Sequence, residues 1–197
     1  MPGPLTDEAL AAVLVHGLRP ARVTLAAYDP RWPARFAAYA AELRRVLGDR
    51  ARLIEHIGST AVPGLAAKPV VDIVAGIDDP DDEAAYLPGL EAAGYQLRVR
   101  EPSHRCLRGG GPEDPVNLHC YPPAHAEIRK YLLLRDHLRS HRADRHLYEQ
   151  TKRELATRPW KDMNYYAEAK GPVINDILTR AGWREQHPPA VTRPPGG

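Results

Sequence analysis

Two apolar strands joined across a glycine–serine turn constrain this chain more than any other feature. The run "ARLIEHIGS", residues 51–59, reads as a strand that ends in a tight turn. The run "KPVVDIVAGI", residues 68–77, is β-branched and apolar on both faces, as a central strand is. One carboxylate, Asp72, stands inside it. A carboxylate among apolar side chains is costly unless it is paired or bound to something. The pattern therefore predicts a site at the end of the sheet where Gly58, Ser59 and Thr60 turn.

The remaining elements set the fold class. Residues 6–16 read as a helix with Thr6 as N-cap and Asp7 and Glu8 in its first turn. A short extended piece covers residues 22–26, and from Pro33 a helix carries Phe36, Ala40, Leu43 and Leu47 as one apolar stripe up to Gly48. Residues 79–94 read as one more helix. Three short strands follow, "YQLRVR", "HRCLR" and "VNLHCYP", the last two linked by "GGGPEDP" as a flexible hairpin loop or an active-site flap. After Pro123 the chain is helical, with a kink or restart expected at Gly171-Pro172. Element order gives an α/β or α+β fold. Residues 1–22 are expected as an N-terminal extension, 23–185 as one domain (sheet core to about 122, helical part 124–183) and 186–197 as a disordered Pro/Gly-rich tail.

Composition narrows the classes of function. A chain of 197 residues with 43% apolar and 26% charged side chains is globular and can bury a core. A net charge of +2 gives no ground for nucleic-acid or membrane binding, and the basic helix near residues 129–145 has acids interleaved and no aromatic platform. No run reaches the roughly 20 apolar residues of a membrane span, and the acidic start argues against a signal peptide. Two cysteines, Cys106 and Cys120, outside any metal-binding spacing, fit a reduced cytoplasmic protein and read as buried small hydrophobes.

Around Asp72 several residues suit a phosphate ligand. Gly58 permits close approach of the backbone, and Ser59 and Thr60 offer hydroxyls beside backbone N–H groups. Asp72 suits Mg²⁺, a hard cation that takes oxygen ligands and bridges to phosphates. A plain reading stands beside this one: a Ser/Thr N-cap next to a strand, with Asp72 hydrogen-bonded to backbone. Alternation in "VNLHCY" puts Asn117, His119 and Tyr121 on one face and Leu118 and Cys120 on the core face, so His119 can serve as metal ligand or general base. Glu55 and His56 straddle the first strand, so one of them points to the site; Glu55 is the second candidate metal ligand. Lys68 and Arg105, with Arg108, are candidate phosphate contacts. Tyr166 and Lys170, four apart, share a helix face, one to stack on a base and one to hold phosphate. Arg135 and Asp136 read as a structural ion pair.

The chain resembles the GrpB-type proteins, a branch of the nucleotidyltransferase-fold superfamily. The segments that carry the likeness are "YDPRWPARF", "IEHIGSTAVPGLAAKPVVDI", "AAGY", "LHCY", "LLLRDHLRSH", "YEQTKRELA" and "YYAEAKGPVINDILTRA", which together span residues 28–181 in order. The resemblance implies a small mixed sheet with helices packed on it and a helical C-terminal part, with Tyr166 and Lys170 facing the cleft. In that superfamily a Gly-Ser turn precedes a strand bearing two alternating acids. Here Asp72 matches the first acid, Val74 stands at the second, and His119 matches the position of a third. Two functions follow as expectations: Mg²⁺-dependent transfer from a nucleoside triphosphate to a small-molecule acceptor, or a nucleotide- or anion-binding accessory domain without transferase chemistry.

Overall fold

The computed structural model describes residues 5–184, and the C-terminal tail expected at residues 186–197 lies outside them. Five strands form one mixed sheet: β1 (Ala51–Ile57), β2 (Val71–Ile77), β3 (Gln96–Glu101), β4 (His104–Gly109) and β5 (Val116–Tyr121). Their order is β1-β2-β5-β4-β3, with β2 and β5 parallel and every other pair antiparallel. Among the described residues seven α-helices surround it: α1 (Asp7–Val13), α2 (Trp32–Leu47), α3 (Leu87–Ala92), α4 (Ala126–Ser140), α5 (Arg142–Ala156), α6 (Met163–Ala169) and α7 (Gly171–Arg180). The architecture is α+β, with the helical C-terminal part that the resemblance implies.

One face of the sheet is sealed by α2 and α3. Leu43 and Leu47 of α2 and Leu90 of α3 meet Val71, Ile73, Leu107 and Leu118 in the largest apolar cluster. Each such side chain taken fully out of water contributes ~2 kcal/mol. The helix α2 forms because its apolar residues recur at helical spacing, Pro33 sits in its first turn, and Gly48 closes it at a φ of 55°. β2 is the central strand its composition predicts: all but Asp72 of its seven residues are buried.

On the opposite face α4 covers only one end, through Ile128, Tyr131 and Leu132 against Val74 and Tyr121. The helices α4, α5 and α7 then pack on one another and on the segment after β1, around Val62, Leu65, Leu138, Tyr148 and Ile177. The rest of that sheet face stays open as a cavity.

Two expectations are corrected. The helix over residues 79–94 shrinks to a 3₁₀ turn at Glu83–Ala85 and the six residues of α3. Pro88, in the middle of that segment, lacks the N–H group an uninterrupted helix needs there. The link "GGGPEDP" is no flap over a site. The Tyr39 hydroxyl of α2 donates to the Asp114 carbonyl at 2.7 Å, and Arg35 pairs with the Asp114 carboxylate. Residues 5–22 reach both the sheet edge, where Leu14 is bridged to Val99, and the helical part, where Ala21 is bridged to Trp160.

Candidate functional site

The parallel seam between β2 and β5 answers why a carboxylate sits in an apolar strand. Asp72 lies opposite Asn117 in the ladder, and Asn117 Nδ2 donates to Asp72 Oδ1 at 2.7 Å. Arg108 of β4 donates to Asn117 Oδ1 at 2.9 Å, so a polar row crosses three strands. Gly58 comes up against the other carboxylate oxygen: a Cβ placed there would lie 2.6 Å from Asp72 Oδ2, and its φ of 70° is in the left-handed region. Only glycine meets both demands without strain.

Above this row stands Lys152 of α5, only 2% exposed. Its Nζ donates to Ser59 Oγ at 3.0 Å and to the Ala66 carbonyl, and lies 4.9 Å from the Tyr148 ring centre. Burial, helped by the nearby Lys170 charge, brings its pKa down to about 7. Lys68 is brought down to about 8, again by burial, with Asp72 pulling the other way. Burial also lowers Lys170 against the pull of Asp72. Three amines thus share one small space without a matching set of carboxylates.

The amines line a cavity of about 760 Å³ between the open sheet face, α4 to α6 and the N-terminal segment. That volume suits a small organic ligand. Its walls carry seven lysine and arginine residues against two carboxylates, Asp72 and Asp162. Asp162 is already committed, accepting from the backbone of Arg19 at 2.8 Å and of Asn164 at 2.9 Å. A more open depression of about 1020 Å³ between Leu5–Asp7 and α6 and α7 has no sheet residue in it and none of the three clustered amines.

The cavity gathers most of the expected site and drops part of it. Gly58, Ser59, Thr60, Lys68, Asp72, His119, Tyr166 and Lys170 all line it. Thr60 turns its hydroxyl away, to His56 Nε2 at 3.0 Å. The Lys68 and Lys170 ammonium groups lie over the Tyr166 ring at 5.7 and 4.9 Å. Its hydroxyl is buried without a hydrogen-bond partner among the described residues.

Arg105 is the clearest correction. It points to the far face of the sheet, 5% exposed, and binds Glu83 at 2.5 Å and Asp81 at 2.9 Å. In β4 the cavity side belongs to Cys106 and Arg108, because successive residues alternate faces. Glu55 is engaged elsewhere: its side chain is 44% exposed and held by Arg135 at 2.8 Å. His56 is on the α2 side, stacked on Phe36 at 4.8 Å between ring centres, and burial drives its pKa down to about 4. Among the described residues no group of three or more His, Cys, Asp or Glu side chains is placed to hold a metal ion. Cys106 and Cys120 are free thiols on opposite faces; Cys106 lies across from His119 and lines the cavity.

His119 is tied from behind. Its Nδ1 is 3.2 Å from His104 Nε2, and His104 Nδ1 is 2.7 Å from Glu101 Oε2. Burial opposes a charge on His119, but the Cys106 sulfur and Asp72 outweigh it and raise its pKa.

Fold and site together define an α+β protein with a cation-lined cavity between an open sheet face and a helical C-terminal part. The chain belongs to the GrpB protein family, whose model it matches over residues 22–180. It is 45% identical over 183 residues to a UPF0157 protein of Halalkalibacterium halodurans, covering 90% of this chain and 93% of that one. A UPF0157 protein of Streptomyces coelicolor is 47% identical over 169 residues, covering 86% and 89%. Among solved structures, the conserved protein GrpB from Enterococcus faecalis superposes with a TM-score of 0.68 at 26% identity, over 81% of this chain and all of that one. No helix among the described residues is long and apolar enough to cross a membrane.

Proposed function

We propose that the cavity is a nucleotide site that holds phosphates with amines. The observation that carries this is the Lys152, Lys68 and Lys170 cluster around Ser59 and Asp72, with two of the amines brought to about 7 and 8. Crowded, poorly solvated amines gain most from an anion that restores their protons. Nucleoside phosphates supply several charges at once, and the cavity is large enough for a base and sugar besides.

Transfer of part of the nucleotide to a small acceptor, as in the nucleotidyltransferase superfamily, is the second reading. It is favoured by His119, whose Nδ1 is bonded from behind so that Nε2 can take an acceptor's proton. The residues do not fit a resident metal pair, since Glu55 is turned away and Val74 is apolar. Magnesium fits this reading as an ion carried in on the phosphates, with Asp72 as its one protein carboxylate.

Thermal unfolding with ATP, inorganic triphosphate and adenosine, each with EDTA or Mg²⁺, tests the proposal. Bound ligand at 100 times its Kd stabilises by about 2.7 kcal/mol. ATP and triphosphate are expected to raise Tm in EDTA while adenosine does not. No shift with either phosphate at several millimolar overturns it, and a shift that requires Mg²⁺ moves the weight to the metal-assisted reading.

A further inference from the structure

Behind the phosphate cradle a second group of side chains remains without a role. Cys106 of β4 stands directly opposite His119 of β5, and both line the cavity. Directly paired residues on one face of a sheet have Cβ atoms about 5 Å apart, so thiol and imidazole are neighbours. Counting two residues along β5 puts this pair about 7 Å from the Asp72–Asn117–Arg108 row. Arg108, the cation of that row, is two residues from Cys106 along β4, so a phosphate that reaches Arg108 has its next few atoms within reach of the sulfur.

The hydrogen bonds behind His119 fix which of its nitrogens is free. Bonding to His104 lowers the Glu101 pKa, so Glu101 is an ionised acceptor and His104 Nδ1 donates to it. With His104 Nδ1 turned to Glu101, its Nε2 is the atom that faces His119 Nδ1, and in the tautomer where His104 Nε2 accepts, His119 Nδ1 donates to it. His119 Nε2 is left with its lone pair, on a ring that has the Cys106 thiol beside it. Nucleophile, base and orienting groups in this sequence are the arrangement that activates a thiol. The buried Tyr166 hydroxyl on the same cavity, with no hydrogen-bond partner among the described residues, also asks for a ligand there.

We infer that Cys106 is a nucleophile that accepts an acyl group from an acyl phosphate bound in the cavity, with His119 as its base and His104 and Glu101 as positioning residues. The inference rests on the reading of the cavity as a phosphate site. Sulfur attacks trigonal carbonyl carbon readily, and the cations favour a leaving group that departs as an anion. In the step, the Cys106 S–H proton passes to His119 Nε2, sulfur bonds to the acyl carbon, and the acyl C–O bond to phosphate breaks. The products are an S-acyl Cys106, a phosphate anion against Lys68, Lys152 and Lys170, and a protonated His119. Water or a small acceptor then takes the acyl group, and His119 returns the proton to sulfur.

Acetyl phosphate is the probe, with p-nitrophenyl acetate as an acyl donor that lacks phosphate, and the readout is peptide mass spectrometry of acetylated cysteine against time. Acetyl phosphate is expected to label Cys106 and not Cys120, saturably, and inorganic phosphate should compete. Cys106→Ser should abolish cysteine labelling yet keep the ATP-induced rise in Tm. His119→Gln should slow labelling about 100-fold or more, the usual contribution of a general base. Glu101→Gln should lower the maximal rate about tenfold without changing the half-saturating acetyl phosphate concentration, as a positioning role demands. Labelling no faster than that of a free thiol, or unchanged in His119→Gln, overturns the inference while a retained ATP shift leaves the phosphate site standing. Equal labelling by p-nitrophenyl acetate, with no competition by phosphate, overturns the acyl phosphate class. Loss of both labelling and the ATP shift in the wild-type protein removes both readings together.

Discussion

Replacing Lys152 by Met tests whether this buried amine gives up its proton in the folded protein. The substitution removes the ammonium and keeps an unbranched stem that can fill the same space. In the folded protein the Lys152 amine titrates at about 7, against an ordinary value of 10.5. Between those values the unfolded chain holds a proton that the folded chain has released, so this lysine makes stability rise with pH across that window. One pKa unit corresponds to about 1.4 kcal/mol, so the whole window is worth ~5 kcal/mol. From pH 7 to pH 9, starting with the folded-state amine half deprotonated, the gain is ~2 kcal/mol. Met also leaves the Ala66 carbonyl without its donor, a cost of ~1–3 kcal/mol that does not change with pH. Urea unfolding followed by tryptophan fluorescence at both pH values is the assay. Wild type is expected to gain ~2 kcal/mol more than Lys152→Met on going to pH 9. Lys68 titrates in an overlapping range but is present in both proteins, so it cancels from the difference. Parallel pH profiles would refute the argument from burial.

Three further outcomes are expected. Gly58→Ala sets a Cβ against Asp72 in a left-handed backbone, and should cost ~1–3 kcal/mol in urea unfolding and remove the ATP-induced Tm rise. Arg105→Met should destabilise by ~2 kcal/mol by removing its charged hydrogen bonds to Glu83 and Asp81, yet leave the ATP shift intact, whereas Arg108→Met should do the reverse. Glu83, held at about 2 chiefly by Arg100 and also by Arg105, contributes stability that is lost as pH falls from 4.5 towards that value; Glu83→Gln should flatten that part of the acid-unfolding curve.

Much of this site was legible in the sequence because period two is unambiguous over short strands. It puts Asp72 in a central strand, and Asn117 and His119 on the face away from Leu118 and Cys120. The same counting applied to "HRCLRG" separates Arg105 and Leu107 from Cys106 and Arg108, so the signal that misplaces Arg105 when ignored was present. Lys152 is a different case. Tyr148 and Lys152 are the two buried residues of α5, on one stripe at helical spacing, but a lysine among Glu, Arg and Gln reads as solvated until the helices that cover it are known. The anchoring of Asp114 by Tyr39 and Arg35 joins residues some 75 apart in the chain, and no local pattern encodes it.

The single parallel ladder in the sheet also governs how the protein can assemble. β1 with β2, and β3 through β5, are each built from antiparallel neighbours close in sequence, and both units can form early from local contacts. Joining them requires β2 to find β5, with the whole β3–β4 hairpin intervening, and closure of that long loop costs entropy before any pairing returns it. The Asp72–Asn117 bond lies on this late-forming join. Refolding kinetics should therefore show secondary structure ahead of ligand-binding competence. A phosphate ligand that touches both halves would act on the unfolding rate more than on the folding rate, since it grips a contact absent until the final step.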